Sequence, residues 1–470
     1  MGLDLGTSSI KATAVDDTGE VLGGARRTYP THRPEHAAAE QDPQDWWTAL
    51  DEVLGELAAR FSPGCWRGIG LSAMLPTLVQ FDSAGNVTGP AVTWEDARAE
   101  PQAQQLCAAV GDSRIYQVTG QRVDGRYLAP MHTRLRELGH GGAIVAGAKD
   151  ALFERLTGEL HTDPSTAAGF GVFDLDADAW DSELVRLGGL PGLPRVSPSS
   201  MWRPMLPIWS RRWGLPEGLP VVLGGADSVV GAAGIGATRH GDVAIIAGTS
   251  AVVLGISDTS VRDPHRRYLV TPMAGAGWGL EMDVLAVGSA FSGIAELVGF
   301  TGPEALLDAA VQVPADDAPV FLPYLTPGEQ GALWDPTLTG TLHGLRLGMS
   351  PAQVGRALLT GVINELRRCV QVLEDVTATR GPIMLGGGAA GHRQLRQELA
   401  DATGRQVLVD TTVGDHSAVG AAILAADALG QPVPLRSEFH SITADPDRYR
   451  WWAQTAEQHD RIRRALVGER

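Results

Sequence analysis

Over residues 2–30, apolar runs at 2–5, 10–15 and 21–26 are broken by polar turns, with Asp17-Thr18-Gly19 before the last run. That pattern predicts a three-strand meander. The period becomes helical over 42–61. Asp42 suits the cap, Pro43 the first helical position and Asp45 the first turn, while Trp46, Leu50, Val53, Leu54 and Leu57 share one face. Residues 67–82 read as buried strand, polar break and strand, and 98–110, 131–138 and 149–157 as helices. The stretch 188–207, rich in Gly, Pro and Ser, reads as a long surface connection. Ser350 and Pro351 open a long helix over 351–378, with Val354, Leu358, Ile363, Leu366, Val370 and Leu373 on its apolar side. Strand, glycine loop, helix and strand follow over 382–410. Beyond Pro432 the chain is more polar and carries Trp451-Trp452; it reads as a tail that packs on a surface or is partly mobile, with no assigned function.

The stretch 221–250 organises the rest. Its first half sets Asp227 after an apolar run, Val221 to Leu223, and two glycines. A carboxylate there stands at the C-terminal end of a buried strand, the edge where open α/β sheets bind ligands. Its second half reads as strand, Gly248-Thr249-Ser250 turn, strand, and such a turn can offer backbone N–H groups to a phosphate. Gly6-Thr7-Ser8 repeats that turn, and the same alignment sets Ile10 on Val252, Ala14 on Leu254 and Asp16 on Asp258. Two copies of one hairpin suggest two halves on one plan. Asp4 lies in the apolar strand before the first turn, where an ionised carboxylate is costly unless it faces a cavity or a metal. Asp4 and Asp227, each beside a glycine-rich turn, suit phosphoryl transfer. One acts as base for an attacking hydroxyl, the other holds Mg²⁺ through water, and backbone amides cradle phosphates.

Rival motifs are present. Residues 386-GGGAAG-391 satisfy G-x-G-x-x-G after a strand and before a helix, with Asp410 at the next strand end, which is the dinucleotide fingerprint of a nicotinamide or flavin oxidoreductase. That reading leaves the two Gly-Thr-Ser hairpins unexplained. His32-Arg33-Pro34-Glu35-His36 has a zinc-peptidase spacing, but Pro34 breaks the helix such a site needs. Gly6 to Lys11 lacks the spacing of a Walker A loop. Trp94-Glu95-Asp96-Ala97-Arg98 reads equally as a local ion pair with an aromatic anchor or as a ligand contact.

Composition narrows the partners. The chain has 470 residues, 44% apolar, enough for two or three domains. Its net charge of −17 argues against nucleic acid or an anionic membrane. The 3 cysteines, Cys65, Cys107 and Cys369, show no metal or disulfide pattern. With no signal-like start and no long apolar run, a cytoplasmic location is expected.

These residues resemble the FGGY carbohydrate kinases over roughly 2–430, within the sugar kinase, heat-shock chaperone and actin superfamily. Asp4-Leu5-Gly6-Thr7-Ser8-Ser9-Ile10-Lys11 is similar to the family's first phosphate hairpin and Gly248-Thr249-Ser250 to its second. Trp94-x-Asp96-x-Arg98 is similar to its W-x-D-x-R segment, and Leu156-Thr157-Gly158-Glu159 with Thr162-Asp163-Pro164-Ser165-Thr166-Ala167 to its LTGE and TD-x-S-x-A stretch. Gly224-Gly225-Ala226-Asp227 resembles the segment of the catalytic aspartate, and Gly386-Gly387-Gly388-Ala389 the adenosine loop. The resemblance implies an α/β protein of two ribonuclease-H-like domains flanking a cleft that closes on binding. The expected divisions are 1–237 (sugar, first hairpin), 238–432 (ATP) and a 433–470 tail.

It further implies ATP and Mg²⁺ as cofactors and a small sugar, ketose or sugar acid as substrate, best a pentulose such as xylulose, with gluconate or a polyol as the alternative. Asp227 is the implied base. Gly6, Thr7, Ser8, Lys11, Gly248, Thr249, Gly387, Gly388 and His392 would serve ATP. Met74, Leu75, Trp94, Asp96, Asp227 and Ser228 would serve the substrate, and Asp4 and Asp227 the metal. A homodimer is left open.

There are departures. Met74-Leu75-Pro76-Thr77 stands where many pentulose kinases have Gln-Met-His-Gly, and Ser72-Ala73-Met74 is nearer the gluconate kinases. Leu75-Pro76 in place of the Arg-Glu pair of glycerol kinases disfavours glycerol. Ser228 replaces an Asn, and Gly328-Glu329-Gln330-Gly331-Ala332 replaces Gly-Glu-Arg-x-Pro. The missing pocket histidine motivates a second class, a non-catalytic sugar- or nucleotide-binding protein on the same fold.

Overall fold

The computed structural model describes all residues except 327–330, 336, 412–414, 436–437 and 468–470. Gly328, Glu329 and Gln330 thus lie outside the described residues. The chain forms two compact units. The first takes Met1–Gly236, Asp258–Gly279 and Val413–Arg436; the second takes Ala237–Ser257, Leu280–Thr412 and Ser437–Arg470.

In the first unit the expected meander forms as β1 (Gly2–Leu5), β2 (Ser9–Val15) and β3 (Val21–Thr28). With β4 (Ile69–Ala73), β5 (Trp202–Pro204) and β6 (Pro220–Ala226) it makes one sheet, in the order β5-β6-β4-β1-β2-β3. β1, β2 and β3 are antiparallel, β4 runs parallel to β1 and to β6, and β5 closes the edge antiparallel to β6. Leu3, Leu5, Ile10, Leu71 and Leu223 of this sheet share one core with Trp46, Val53, Leu54 and Leu57 of the helix Pro43–Arg60. That helix starts as the sequence predicts, with the Asp42 side chain accepting from the Gln44 amide. The stretch expected to be connection alone contributes β5, where Pro204 faces Pro220. Pro204 is tolerated because an edge strand need not donate outward, and Pro220 because it is the first residue of its strand.

The second unit repeats the plan. Its strands are β7 (Val243–Ala247), β8 (Ala251–Ser257), β9 (Trp278–Val284), β10 (Ile383–Gly386), β11 (Val407–Asp410) and β12 (Phe439–Ile442). These six lie consecutively, in the order β9-β8-β7-β10-β11-β12, in a seven-stranded sheet. β7 pairs antiparallel with β8 and parallel with β10, β11 follows parallel, and β12 closes antiparallel. The two hairpins differ in register: Leu5 faces Ile10, but Ala247 faces Ala251, so the first turn holds one residue more.

Two expectations change. Residues beyond Pro432 are no surface tail: they supply β12 and the helix Pro446–Val467, whose Trp452 is fully buried. The units are also interleaved rather than contiguous, because the helix His416–Ala428 belongs with the first unit. Its small residues pack where side chains cannot fit. A Cβ on Gly420 would lie 2.1 Å from the Val230 carbonyl oxygen, and one on Gly2 would lie 1.7 Å from that of Ala418.

Candidate active site

β1 carries Asp4 near its C-terminal end, and burial sets the chemistry there. The carboxylate is buried, accepts from Ser72 Oγ of β4 at 2.9 Å, and lies 3.6 Å from Lys11 Nζ of β2. Lys11 is pinned harder by a residue the sequence reading missed, Asp415, at 2.6 Å. Asp415 also caps the helix His416–Ala428, accepting from the Ala418 amide at 3.1 Å. Burial and then the Asp415 charge push the Asp4 carboxyl up to about 6, against the pull of Lys11 and Ser72. Burial alone would lower the Lys11 ammonium, but Asp4 and Asp415 outweigh it and leave it raised. An Asp capping a run of small residues was the available signal for Asp415.

The first turn, Gly6 to Ser8, is held by its carbonyls. Gly6 O accepts from Tyr29 OH, Thr7 O from Gln41 Nε2 at 2.7 Å, and Ser8 O from the Tyr29 amide at 3.3 Å. Thr7 Oγ1 accepts from Trp94 Nε1 at 2.9 Å. Trp94 is thereby joined to the first turn. Asp96 does different work. It is buried, clasps Arg98 with both oxygens at 2.7–3.1 Å, and accepts from the Ala39 amide at 2.9 Å. Arg98 also meets Glu40 at 2.5 Å and Glu35 at 2.8 Å, so this segment is the ion pair with an aromatic anchor that its residues suggested.

Asp227 opens the helix Asp227–Gly234 directly after β6, at the strand end the sequence indicated. Its Oδ1 accepts from the Ser228 amide at 2.9 Å, and its carbonyl oxygen accepts from Ser417 Oγ at 3.2 Å. The strand end is fixed from behind by a buried polar network. Lys149 Nζ lies 3.1 Å from Asp150 and 3.3 Å from Asp163. Asp163 caps the helix Pro164–Ala168, and Ser165 Oγ accepts from the Ala226 amide at 2.9 Å, one residue before Asp227. This gives the LTGE and TD-x-S-x-A stretch a physical role: it fixes the strand end from which Asp227 projects. Met74 is buried and Leu75 half-buried, its Cδ1 at 2.4 Å from where a Gly169 Cβ would stand. Apolar packing thus occupies the place of the expected polar pocket residues.

In the second unit Gly248 and Thr249 are exposed. Gly248 O accepts from the Gly288 amide at 3.0 Å, and Thr249 O from the Val287 and Ser289 amides, both at 3.1 Å, where the helix Gly288–Leu297 begins. Gly387 (φ 87°) and Gly388 are exposed after β10. A Cβ on Gly387 would lie 2.4 Å from the Ala247 carbonyl oxygen, whereas one on Gly388 would meet nothing within 4 Å. His392 occupies the N-cap position of the helix Arg393–Thr403 without a side-chain capping bond, with Nε2 at 3.4 Å from Asp308 and a buried Nδ1 that has no hydrogen-bond partner among the described residues.

These residues fit a magnesium nucleotide. Gly388 faces open space in the second unit, and the turn of each unit has backbone N–H groups of the kind that can meet a phosphate. Among the described residues no group of three or more His, Cys, Asp or Glu could cage a metal ion. A Mg²⁺ arriving on ATP would keep most of its water, as that ion prefers, with Asp4 as an outer partner.

Two domain models match the chain. Residues 1–234 match the N-terminal domain, and 243–429 the C-terminal domain, of the FGGY family of carbohydrate kinases. The chain belongs to that family, so it is a phosphotransferase acting on an alcohol group of a carbohydrate, built on a two-domain α/β fold of the actin and hexokinase kind. It is 32% identical to the xylulose kinase of Klebsiella pneumoniae, with 93% of each chain covered. It is 26% identical to the gluconokinase of Bacillus subtilis strain 168, covering 92% of this chain and 88% of that one. The crystal structure of xylulose kinase from Rhodospirillum rubrum matches with a TM-score of 0.90 at 29% identity, covering 99% and 98%. Family membership also sets aside the dinucleotide reading of the Gly386–Gly391 loop. No helix among the described residues is long and apolar enough to cross a membrane.

Proposed function

We propose that the chain transfers the γ-phosphoryl group of ATP·Mg²⁺ to a hydroxyl of a pentulose such as xylulose, with Asp227 as general base. The observation that carries it is the placement of Asp227 as the first residue of a helix, braced by Ser165 on the Ala226 amide. A helix N-terminus favours the ionised carboxylate, and the brace holds it for the incoming hydroxyl. Gly6, Thr7, Ser8, Lys11, Gly248 and Thr249 bind phosphates. Gly387, Gly388 and His392 take the adenosine, and Asp4 orders the water around Mg²⁺. Trp94, Met74, Leu75 and Ser228 shape the acceptor pocket, and Asp96 acts on it through Arg98 and the 35–40 loop. The bound Mg²⁺ supplies charge neutralisation of the triphosphate.

A gluconate-like sugar acid is the second reading. Ser72-Ala73-Met74, shared in type with gluconate kinases, and the likeness to the Bacillus subtilis gluconokinase favour it. The deciding experiment is a coupled ADP-release screen over pentuloses, hexuloses, polyols and aldonates. Xylulose or another pentulose should give the highest kcat/KM; an aldonate in first place supports the second reading. Failure of every acceptor to raise ATP turnover would point to a binding protein. In the active pair, Asp227→Asn should lose about 10²–10⁴-fold in kcat while still binding ATP. Near-normal turnover in that variant removes Asp227 as the base.

A further inference from the structure

We infer that Trp94, Tyr29 and Gln41 are positioning residues that strip the first turn of hydrogen-bond acceptors, so that it meets its ligand with donors alone. An indole N–H donates and cannot accept. Thr7 Oγ1 therefore accepts from Trp94, and its single proton is left to donate. The three carbonyl oxygens of Gly6, Thr7 and Ser8 are all taken by donors of the same unit: Tyr29 OH, Gln41 Nε2 and the Tyr29 amide. Gln41 cannot be flipped to the opposite sense. Its Oε1 accepts from the Trp46 indole at 2.8 Å, and its Nε2 also meets Thr31 Oγ1 at 2.8 Å. Gln41 and Trp46 are fully buried, so the arrangement is fixed by the core.

The Gly6 N–H is spent on the Ser9 carbonyl at 3.1 Å, so what the turn offers a ligand is the N–H of Thr7 and Ser8 and their hydroxyl protons. A carbonyl swung outward would set acceptor against acceptor and repel a polyphosphate oxygen; inward, it adds to the donor field. The second turn reaches the same polarity with unrelated donors, the Val287, Gly288 and Ser289 amides. Two turns with one outcome and different means argue for selection on donor character rather than incidental packing. Trp94 adds a link. Its ring belongs to the segment proposed to face the acceptor sugar, while its N–H orients a hydroxyl of the phosphate turn. This inference rests on the proposed binding of ATP phosphates at Gly6–Ser8.

The test measures the Kd of MgATP by calorimetry, which needs no acceptor, and the KM of the best acceptor separately. Trp94→Phe keeps an aromatic ring, smaller than the indole, and removes the N–H. It should weaken MgATP about 3–10-fold, the worth of one hydrogen bond, whatever it does to the acceptor KM. Thr7→Val should weaken MgATP at least as much, and adding Trp94→Phe to it should cost nothing further, because the indole acts only through the hydroxyl. Tyr29→Phe, which deletes one hydroxyl, should weaken MgATP on its own and carries the test if Trp94→Phe does not fold. Independent, multiplying losses in the Thr7 and Trp94 variants, or a Trp94→Phe effect confined to the acceptor KM, would overturn the inference. So would unchanged MgATP binding in Tyr29→Phe. Unchanged MgATP binding in Thr7→Val would instead remove the phosphate assignment beneath it.

Discussion

Asp4 is strained electrostatically where it stands. Its carboxyl, raised to about 6 by burial and by Asp415, holds its proton in the folded chain at pH values where the unfolded chain, near 3.8, has released it. Folded Asp4 therefore binds more protons than unfolded Asp4 between those values, and its contribution to stability falls as pH rises through about 6. Asp4→Asn removes that cost and keeps an oxygen for the Ser72 hydroxyl. Relative to the parent chain, the variant should gain more stability at pH 8 than at pH 5 in urea melts, and lose phosphoryl transfer at both. Parallel urea midpoints for the two proteins across that range would show that Asp4 is not held at a cost. Such a trade of stability for function is expected of a buried charge kept for its chemistry. Asp4 was legible in the sequence because a lone carboxylate in an apolar strand is an anomaly. Asp415 was legible only as a helix cap, because its partner Lys11 lies 404 residues away in the chain, and no local pattern signals an ion pair of that separation.

Among the elements, the crossing of the helices Asp227–Gly234 and His416–Ala428 governs two carboxylates at once. Asp227 begins one helix and Asp415 caps the other. They cross on glycine: Gly420 faces the Val230 carbonyl, and a Cβ on Gly234 would lie 1.9 Å from the His416 carbonyl oxygen. Gly420→Ala must push backbone from backbone, at a cost of about 1–3 kcal/mol or more. Because both helix starts move, kcat should fall beyond what the lost stability explains, measured on protein still folded at the assay temperature. Gly55→Ala is the contrast. It lies inside the helix Pro43–Arg60, where a Cβ would meet nothing within 4 Å. That change should add about 0.5–1 kcal/mol with kcat intact. An inert Gly420→Ala would mean the crossing has room the structure does not show. Patterning revealed the existence and polarity of these helices. It could not show that the second belongs with the first unit, since that depends on which strand glycines its small face meets.

At the scale of the molecule, one order of six strands is used twice, and the chain closes the second copy with the segment that read as a tail of no assigned function. The repeated Gly-Thr-Ser turns disclosed the duplication, but not the extra residue in the first turn, because equal spacing in sequence conceals a register difference. Polar composition likewise hid β12 and the buried Trp452, since one face of a helix can be apolar while its average is not. The adenosine assignment has a test at this scale, because ligand binding to the folded state alone raises the stability of the whole chain. At about 100 times its Kd, MgATP should add about 2.7 kcal/mol and raise the melting temperature, while NAD should do nothing. Gly388→Val separates ligand from fold. With nothing within 4 Å of its Cβ position, the substitution leaves the unliganded melt near that of the parent chain. The same open space is what adenosine would fill, so the added methyls should abolish protection by MgATP. A substitution at Gly387 cannot serve, because its φ of 87° and the Ala247 carbonyl would strain the fold itself. Full protection of Gly388→Val by MgATP would move the adenosine elsewhere. Protection of the parent chain by NAD, where MgATP gives none, would restore the dinucleotide reading of Gly386–Gly391.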